Sequence, residues 1–387
     1  MPLSIGIVGL GSFGSSFVRL FNGHPGVDRI ALCDREPDRV RRFAGEPTLQ
    51  GKFHSRDTFS SLDAICAADL DAIALFTQPW LHAPQAIQVM ESGKHVYSAV
   101  PIVSLPDGDE ILDWCDKLVD IRKRTGKHYM LGETTCYRPQ AMYCRRRAAE
   151  GAFGHFTYAE GEYFHDFDSP FSNLIKVRES RLNSAAGAEW KERSRQYVER
   201  GVRGGPMHYP THSTSGPISV MKAHAVKVSC FGYHDPNGHE YFGGEFSNET
   251  ALFQMSNGSS MRIAEHRQIG RRNNEIFRIF GSDAGFAENS WHTKSDATQL
   301  TVDEMRDPLP PEVATAYSAG REGDIYGGHG GSHAYLVHEF VSAVSENRHP
   351  LINVWEAVRY MAAGVVAHKS ALGDGELLNV PDWGDAP

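Results

Sequence analysis

Three glycines near the amino terminus constrain the fold of this chain more than any other feature. Residues 9–14 read Gly-Leu-Gly-Ser-Phe-Gly, between an apolar run at residues 4–10 and a segment whose apolar residues recur at helical spacing. Strand, tight turn and helix in this order form the phosphate-binding corner of a doubly wound sheet. Gly9 permits the turn, Gly11 lets backbone N–H groups approach a pyrophosphate, and Gly14 allows close helix packing.

An acidic residue after the next strand indicates which dinucleotide this corner binds. Asp34 follows an apolar run at residues 29–33, about twenty positions after Gly14. Its carboxylate would bind ribose hydroxyls and repel a 2′-phosphate, which favours NAD, although Arg35 could serve a phosphate instead. A glycine-rich turn without a ligand is the alternative, and the combination of strand, helix and acid disfavours it. The cofactor-binding residues predicted here are Gly9, Gly11, Ser12, Phe13, Gly14, Asp34 and Arg35.

Strands and helices alternate regularly over the first 130 residues. Apolar strands are predicted at residues 4–10, 29–33, 71–76 and 95–97, and helices start after Gly14 and at residues 37 and 82. This alternation predicts an α/β fold with a parallel, doubly wound Rossmann sheet in residues 1–130. The chain of 387 residues is long enough for a second domain.

The alternation ends near residue 130. Strands predicted at residues 158–163, 226–233, 250–256 and 260–266 lack intervening regular helices, which favours a mostly antiparallel open sheet. We therefore expect an α+β substrate-binding domain over residues 131–387. Residues 171–206 are polar and rich in Arg and Gly, and we expect a helical or irregular insertion over a cleft. Residues 333–347 and 354–372 are predicted to be two closing helices.

Composition excludes several classes of protein. The net charge of −9 disfavours a nucleic-acid binder, which needs a basic face. The six cysteines are scattered without a C-x-x-C pair, so neither a disulfide framework nor a zinc knuckle is expected. No apolar run reaches the roughly 20 residues of a membrane span, and the segment from Met1 to the first strand lacks the basic region and cleavage site expected of a signal peptide. These features predict a cytoplasmic protein with reduced thiols that acts on a small molecule.

Several motifs of the first domain resemble the Gfo/Idh/MocA oxidoreductase family. They are Thr77-Gln78-Pro79-Trp80-Leu81-His82, then Gly93-Lys94-His95-Val96 and a proline at position 101. The resemblance implies that Thr77, Pro79, His82, Val100 and Pro101 contact the cofactor. Sugar dehydrogenases of that family carry Glu-Lys-Pro after this strand, and their lysine assists proton transfer at the oxidised alcohol. This chain has Ala99-Val100-Pro101 there, so the lysine is missing and a simple alcohol dehydrogenase is disfavoured.

Further motifs resemble the NAD-dependent glycoside hydrolase branch of that family, of the N-acetylgalactosaminidase and sulfoquinovosidase kinds. The matching segments are residues 130–137, 162–166, 209–212 and 328–331. The resemblance implies cleavage of a glycoside by oxidation at C3, elimination across C1 and C2, hydration and re-reduction. Oxidation comes first because it acidifies the C2 proton. NAD is then a catalytic cofactor that stays bound throughout.

The same motif matching assigns the catalytic candidates. Tyr163 would remove the C2 proton with His165 beside it, and Glu133 would anchor sugar hydroxyls. Tyr209 and His212 would contact the C3 and C4 hydroxyls, and His329 would face C1. Residues 163 and 165 lie two apart on a predicted strand and share a face. A tyrosine base needs its pKa lowered from about 10, which cationic or hydrogen-bonding neighbours could do.

Each candidate also has an alternative structural role. A tyrosine on a half-buried strand packs more often than it catalyses, and His212 could simply start a helix. Histidine pairs four residues apart, at positions 208 and 212 and at 329 and 333, could hold a metal. No H-E-x-x-H or cysteine-rich spacing accompanies them, so no metal is expected.

The predicted insertion is locally basic. Residues 176–203 contain eight basic and four acidic residues. Arginine binds sulfonate, carboxylate or phosphate with directed hydrogen bonds, which would suit an anionic sugar such as a sulfoquinovoside. A solvated helix face with internal ion pairs is an equal alternative. The candidate anion ligands are Arg178, Arg193, Arg195 and Arg200.

Three functions remain open at this point. The first is the NAD-dependent glycosidase, the second a sugar or inositol dehydrogenase that releases NADH, and the third a non-catalytic sugar-sensing protein that kept the nucleotide fold. The missing lysine disfavours the second. A broad open sheet makes self-association into a homo-oligomer plausible.

Overall fold

The amino-terminal part of the chain forms a parallel sheet with helices on both faces. A computed structural model describes residues 2–46, 49, 51–170, 172–318 and 327–387. Within them this sheet has six strands, all parallel. The strands are β1 (Leu3–Val8), β2 (Val27–Cys33), β3 (Phe53–Phe59), β4 (Ala72–Leu75), β5 (His95–Ser98) and β6 (Tyr129–Leu131). The helices are α1 (Ser12–Gly23), α2 (Pro37–Ala44), α3 (Leu62–Cys66), α4 (His82–Glu91) and α5 (Gly108–Thr125).

The strand order β3-β2-β1-β4-β5-β6 is that of a doubly wound nucleotide-binding sheet. The chain reverses its winding direction between β1 and β4, and this switch point lies beside the glycine motif. The central strands β1 and β4 are almost entirely buried, as their uninterrupted apolar sequences require. The predicted fold class is therefore confirmed for this domain.

The second sheet is mostly antiparallel, as predicted. Its order is β14-β13-β12-β11-β7-β10-β9-β8-β15 in the part of the chain that the structure covers, and only β7 and β10 pair in parallel. The strands are β7 (Phe156–Phe164), β8 (Ala225–Tyr233), β9 (Asn248–Met255), β10 (Ser260–His266), β11 (Asn274–Gly281), β12 (Ala284–Ala287), β13 (Ser290–Thr293), β14 (Ala297–Gln299) and β15 (Leu378–Asn379).

Some helices of the second domain pack on one face of this sheet, and others contact the first domain. They are α6 (Pro139–Ala149), α7 (Leu174–Leu182), α8 (Ala185–Glu199), α9 (Thr211–Met221), α10 (Val302–Met305), α11 (Pro311–Ser318), α12 (Ser332–Ser345) and α13 (Val354–Leu372). The fully buried α9 packs on β7, β10 and β11, while α13 contacts β8 and also α5 and β6. The two sheets therefore share one continuous apolar core.

Two boundaries differ slightly from the sequence predictions. The proposed division at residues 130 and 131 falls inside β6, whose last residue still pairs in the first sheet. The insertion is two helices, α7 and α8, and its predicted first residue, Phe171, lies outside the described residues. All six cysteines are buried and free. The described helices include none with the length and apolarity that a membrane span demands.

Candidate active site

The glycine motif leaves an open space at the start of α1. A Cβ on Gly14 would lie 2.0 Å from the Gly9 carbonyl oxygen, and Gly9 has a φ of 91°. Both positions therefore require glycine for packing and conformation. A Cβ on Gly11 would meet nothing closer than the Arg39 Nη1 atom, at 4.0 Å. The space above Gly11, at the helix N-terminus, is where the pyrophosphate of a dinucleotide fits.

Asp34 lies at the end of β2 with its carboxylate turned toward this corner. Its Oδ2 accepts a hydrogen bond from the Leu10 amide at 2.7 Å, and its Oδ1 accepts one from the Glu36 amide at 2.9 Å. Both bonds fix the carboxylate beside the motif, in the position where ribose hydroxyls bind. Ser12 opens α1, and the Phe13 ring packs edge-on against Phe76.

His82 has a different role from the predicted cofactor contact. Its ring is buried, with Nδ1 2.8 Å from the Pro101 carbonyl oxygen and Nε2 3.1 Å from the Thr77 carbonyl oxygen. Burial lowers the pKa of His82 to about 4, so the ring is neutral and donates its single N–H to one of these carbonyls. His82 therefore joins the loops after β4 and β5. The loops themselves, with Pro79 and Val100, remain the candidate contacts for the nicotinamide.

Three aromatic rings stack at the carboxyl end of β7. The Tyr163 ring lies between His165, at a centroid distance of 4.1 Å, and His212, at 4.9 Å, with interplanar angles of 12° and 21°. The Tyr209 ring lies 5.7 Å from His212, and its hydroxyl is 3.5 Å from the Val100 carbonyl oxygen. The structure thus brings four of the predicted catalytic residues together, next to the loop after β5.

His212 forms a buried pair with Glu133. Its Nδ1 lies 2.8 Å from Glu133 Oε1, which also accepts a hydrogen bond from the Thr135 amide at 2.9 Å. Burial disfavours the charged forms of both side chains, but the attraction and hydrogen bond between Glu133 and His212 outweigh this cost. The pKa of the Glu133 carboxyl is therefore lowered and the pKa of His212 is raised. The second carboxylate oxygen of Glu133 is buried without a partner, which suits a substrate hydroxyl.

His165 has its own carboxylate, Glu275. The His165 Nε2 atom lies 2.8 Å from Glu275 Oε1, and Arg138 pairs with the other oxygen of Glu275. Burial lowers the pKa of His165 despite this hydrogen bond, so the imidazole is neutral at pH 7. Its Nδ1 has no partner within the described residues. If Nε2 donates to the carboxylate, Nδ1 carries a free lone pair.

The expectation that neighbours lower the pKa of Tyr163 is wrong. Burial raises it well above 10, and the carboxylate of Glu275 adds to this rise. The guanidinium of Arg267, 4.6 Å from the ring centroid, acts in the opposite direction but does not offset burial. The phenol therefore carries its proton at neutral pH.

The strand register explains a row of polar residues beside the stack. Glu265 of β10 and Glu275 of β11 both lie opposite Tyr163 of β7. Burial raises the pKa of Glu265 to about 7, while Arg267 and the Ser213 hydroxyl stabilise its charged form. Sequence reasoning missed both glutamates. Both strands also carry other polar residues, so the sequence does not single out these glutamates, and the register is not readable from the sequence.

His329 lies between the stack and the glycine motif. Its Nδ1 is 3.0 Å from His333 Nε2, and its ring centroid is 6.3 Å from that of Phe13. Burial lowers the pKa of His329, and the charged groups acting on it include those of His212 and Glu275. His329 therefore faces both the candidate cofactor site and the catalytic cluster.

The four candidate anion ligands are engaged within the chain. Arg193 pairs with Glu110, Arg195 with Glu192, and Arg200 with Asp107. Arg178 lies 4.8 Å above the Tyr241 ring. Internal ion pairs were the alternative interpretation of this basic segment, and the contacts favour it. Among the described residues, no group of three or more His, Cys, Asp or Glu side chains is arranged to hold a metal ion.

Residues 3–133 match the family model GFO_IDH_MocA, described as an oxidoreductase family with an NAD-binding Rossmann fold. The amino-terminal domain is similar to this family over that range. It binds NAD, and the open corner at Gly11 and the carboxylate of Asp34 fit that cofactor.

Relatives align over nearly the whole chain. An alpha-N-acetylgalactosaminidase of Shewanella oneidensis is 24% identical over 412 residues, which cover 98% of this chain and 84% of the relative. A glycosyl hydrolase family 109 protein of a Shewanella species has the same identity and coverage. A levoglucosan dehydrogenase in complex with NADH superposes with a TM-score of 0.72 at 17% identity, over 99% of this chain and 100% of that one. The superposition with levoglucosan dehydrogenase shows that the two proteins share a fold.

Proposed function

We propose that this protein is an NAD-dependent glycoside hydrolase that cleaves a hexoside through transient oxidation at C3. The observation that carries the proposal is the stack of His165, Tyr163 and His212, in which each imidazole is oriented by a carboxylate of its own. A dehydrogenase needs one proton acceptor at the reacting alcohol. Elimination and hydration need several proton donors and acceptors around one sugar ring, and this cluster supplies them.

Bound NAD supplies reversible oxidation at C3, which makes the C2 proton acidic enough for a protein base. His165 is the proposed base for that proton, because its imidazole is neutral and Glu275 orients it. The protonated Tyr163 then acts as a hydrogen-bond donor to the sugar rather than as the base. His212, with its raised pKa, exchanges a proton with the C3 oxygen and stabilises negative charge there.

The remaining candidates surround these groups. Glu133 has an unpartnered buried oxygen that would accept a bond from a sugar hydroxyl, and Tyr209 would contact the sugar close to the nicotinamide. His329 is proposed to contact the C1 side of the sugar. The proposal does not include an anionic sugar, because the candidate arginines have partners within the chain.

A sugar dehydrogenase is the second candidate, favoured by the superposition with levoglucosan dehydrogenase. The residues after β5 oppose it, since Ala99 and Val100 stand where that chemistry uses lysine.

A single assay separates these functions. Purified protein, freed of excess nucleotide, is incubated with a panel of aryl glycosides while released aglycone and absorbance at the NADH band are followed together. The glycosidase releases aglycone over many turnovers without net NADH. Stoichiometric NADH would instead establish the dehydrogenase, and binding without either signal would indicate a sensor.

Tyr163→Phe should slow cleavage and leave NAD bound, and unchanged turnover would remove Tyr163 from the mechanism.

A further inference from the structure

One arginine at the NAD site is paired with a residue from the second domain. Arg35 directly follows Asp34 at the end of β2, and its two terminal nitrogens donate to the two carboxylate oxygens of Glu189 at 3.0 and 2.7 Å. Glu189 lies on α8, far away in sequence. This bidentate pair lowers the pKa of the Glu189 carboxyl, since Arg35 stabilises its charged form. The carboxylate therefore stays ionised beside the ribose position.

Helix α8 is held against the first domain by contacts on either side of Glu189. The Trp190 ring stacks on Trp80, in the loop after β4, at a centroid distance of 4.9 Å and an angle of 17°. Ser184 caps the start of α8 and lies 3.4 Å from the Gln78 amide. These contacts span the loops after β2 and β4, which flank a bound dinucleotide. The position of Glu189 is thus fixed by packing as well as by its ion pair.

The location of this pair bears on the choice between NAD and NADP. An arginine next to the ribose-binding acid is the usual ligand of the 2′-phosphate of NADP. Arg35 occupies that sequence position, but both of its terminal nitrogens already donate hydrogen bonds to the carboxylate of Glu189. A 2′-phosphate would have to displace one carboxylate while approaching another, Asp34. Repulsion between the phosphate and these two carboxylates opposes the binding of NADP.

We propose that Glu189, supplied by the second domain, is a specificity-determining residue that makes the NAD site reject a 2′-phosphate. It occupies Arg35 and adds negative charge where the phosphate of NADP would lie. Asp34 alone leaves Arg35 available to NADP, whereas Asp34 and Glu189 together remove that option. The ligand class of the site is therefore a dinucleotide with free ribose hydroxyls.

Equilibrium dialysis with NAD and with NADP tests this proposal without any assay of activity. Glu189→Gln frees Arg35, so the Kd for NADP should fall about tenfold, while the Kd for NAD should change less than about twofold. The control is Glu192→Gln, which removes the same charge from the same helix but pairs with Arg195. It should leave both constants unchanged. Glu189 is largely exposed, so its replacement is compatible with folding, which a thermal melt checks.

A double variant assigns the effect to Arg35. Arg35→Ala added to Glu189→Gln should return the Kd for NADP to at least the wild-type value, because the freed phosphate ligand is gone. The proposal is overturned if Glu189→Gln leaves the Kd for NADP unchanged. It is equally overturned if the constants for both nucleotides shift together, or if Glu192→Gln gives the same gain.

Discussion

The glycines of the nucleotide corner have different surroundings, since Gly14 is tightly packed and Gly11 borders an open space. At Gly14 an added methyl group would collide with the backbone, whereas at Gly11 it would project into open space. The backbone at Gly11 has a φ of −67°, which any residue adopts. The close packing that the sequence predicted at Gly14 is present in the structure, whereas the ligand role of Gly11 stays a prediction.

Two alanine substitutions distinguish these roles. Gly11→Ala should weaken NAD binding about tenfold or more, because its methyl group fills the space of the pyrophosphate, and should leave Tm within about 2 °C. Gly14→Ala should lower Tm strongly or prevent folding, since the clash is with backbone. Thermal melts and NAD titration of both variants check this. Equal loss of Tm in the two variants would contradict it.

The Glu133–His212 pair should make stability depend on pH. The pKa of Glu133 is lowered from 4.5, so its contribution is present above pH 4.5 and is lost as the pH falls further. The pKa of His212 is raised from 6.5, so its contribution is complete below pH 6.5 and is lost as the pH rises. The Tm difference between wild type and His212→Gln should therefore be largest between pH 4.5 and 6.5.

His329→Gln is the matched comparison for this pH series. Burial lowers the pKa of His329, so wild type should lose stability relative to this variant as the pH falls below 6.5. That trend is opposite to the one for His212. A Tm difference for His212→Gln that stays constant from pH 4 to 8 would show that the pair does not titrate as described.

At the scale of elements, the sequence predicted the strands β1, β2, β4, β5 and β7 to β10, but it missed β11 and several helices, and it did not show how the strands of the second sheet align. Periodicity and turn residues place β7 and β10, yet a register shift of one residue would move Glu265 to the other face. The partners of Tyr163 and His165 could not be named for this reason. The insertion was predicted as helical or irregular, and only the structure shows that α8 packs across the first domain.

The packing of α8 can be tested through Trp190. Trp190→Ala removes its stacking on Trp80, worth about 1 kcal/mol, and should increase amide hydrogen exchange in α7 and α8. NAD should also dissociate faster, because α8 lies across the loops that flank it. Val198→Ala, on an exposed position of the same helix, is the control. Unchanged exchange and dissociation in Trp190→Ala would show that α8 is held by other contacts.

At the scale of the whole molecule, the uncovered face of the second sheet remains the candidate surface for self-association. Glu160 and Arg262 form an ion pair at its centre, and Arg278 also pairs with Glu160. Leu252, opposite Arg262, and Phe231 are 58% and 62% exposed. A large flat face with apolar side chains is typical of an interface between copies of a chain.

Self-association predicts a definite response to charge on this face. Wild type should sediment as a dimer or larger species, and Leu252→Arg should shift it to the monomer without lowering Tm. Leu372→Arg, at an exposed leucine at the end of α13, is the control and should keep the wild-type sedimentation. A monomeric wild type, or equal effects of both variants, would rule out this surface.

In the proposed mechanism, NAD acts as a bound catalyst that makes a sugar C–H bond breakable by His165 and its neighbours. Cleavage of an aryl glycoside in deuterium oxide, followed by NMR of the released sugar, tests it most directly. We expect deuterium at C2 and retained hydrogen at C3 of the released sugar. A released sugar without deuterium at C2 would contradict it.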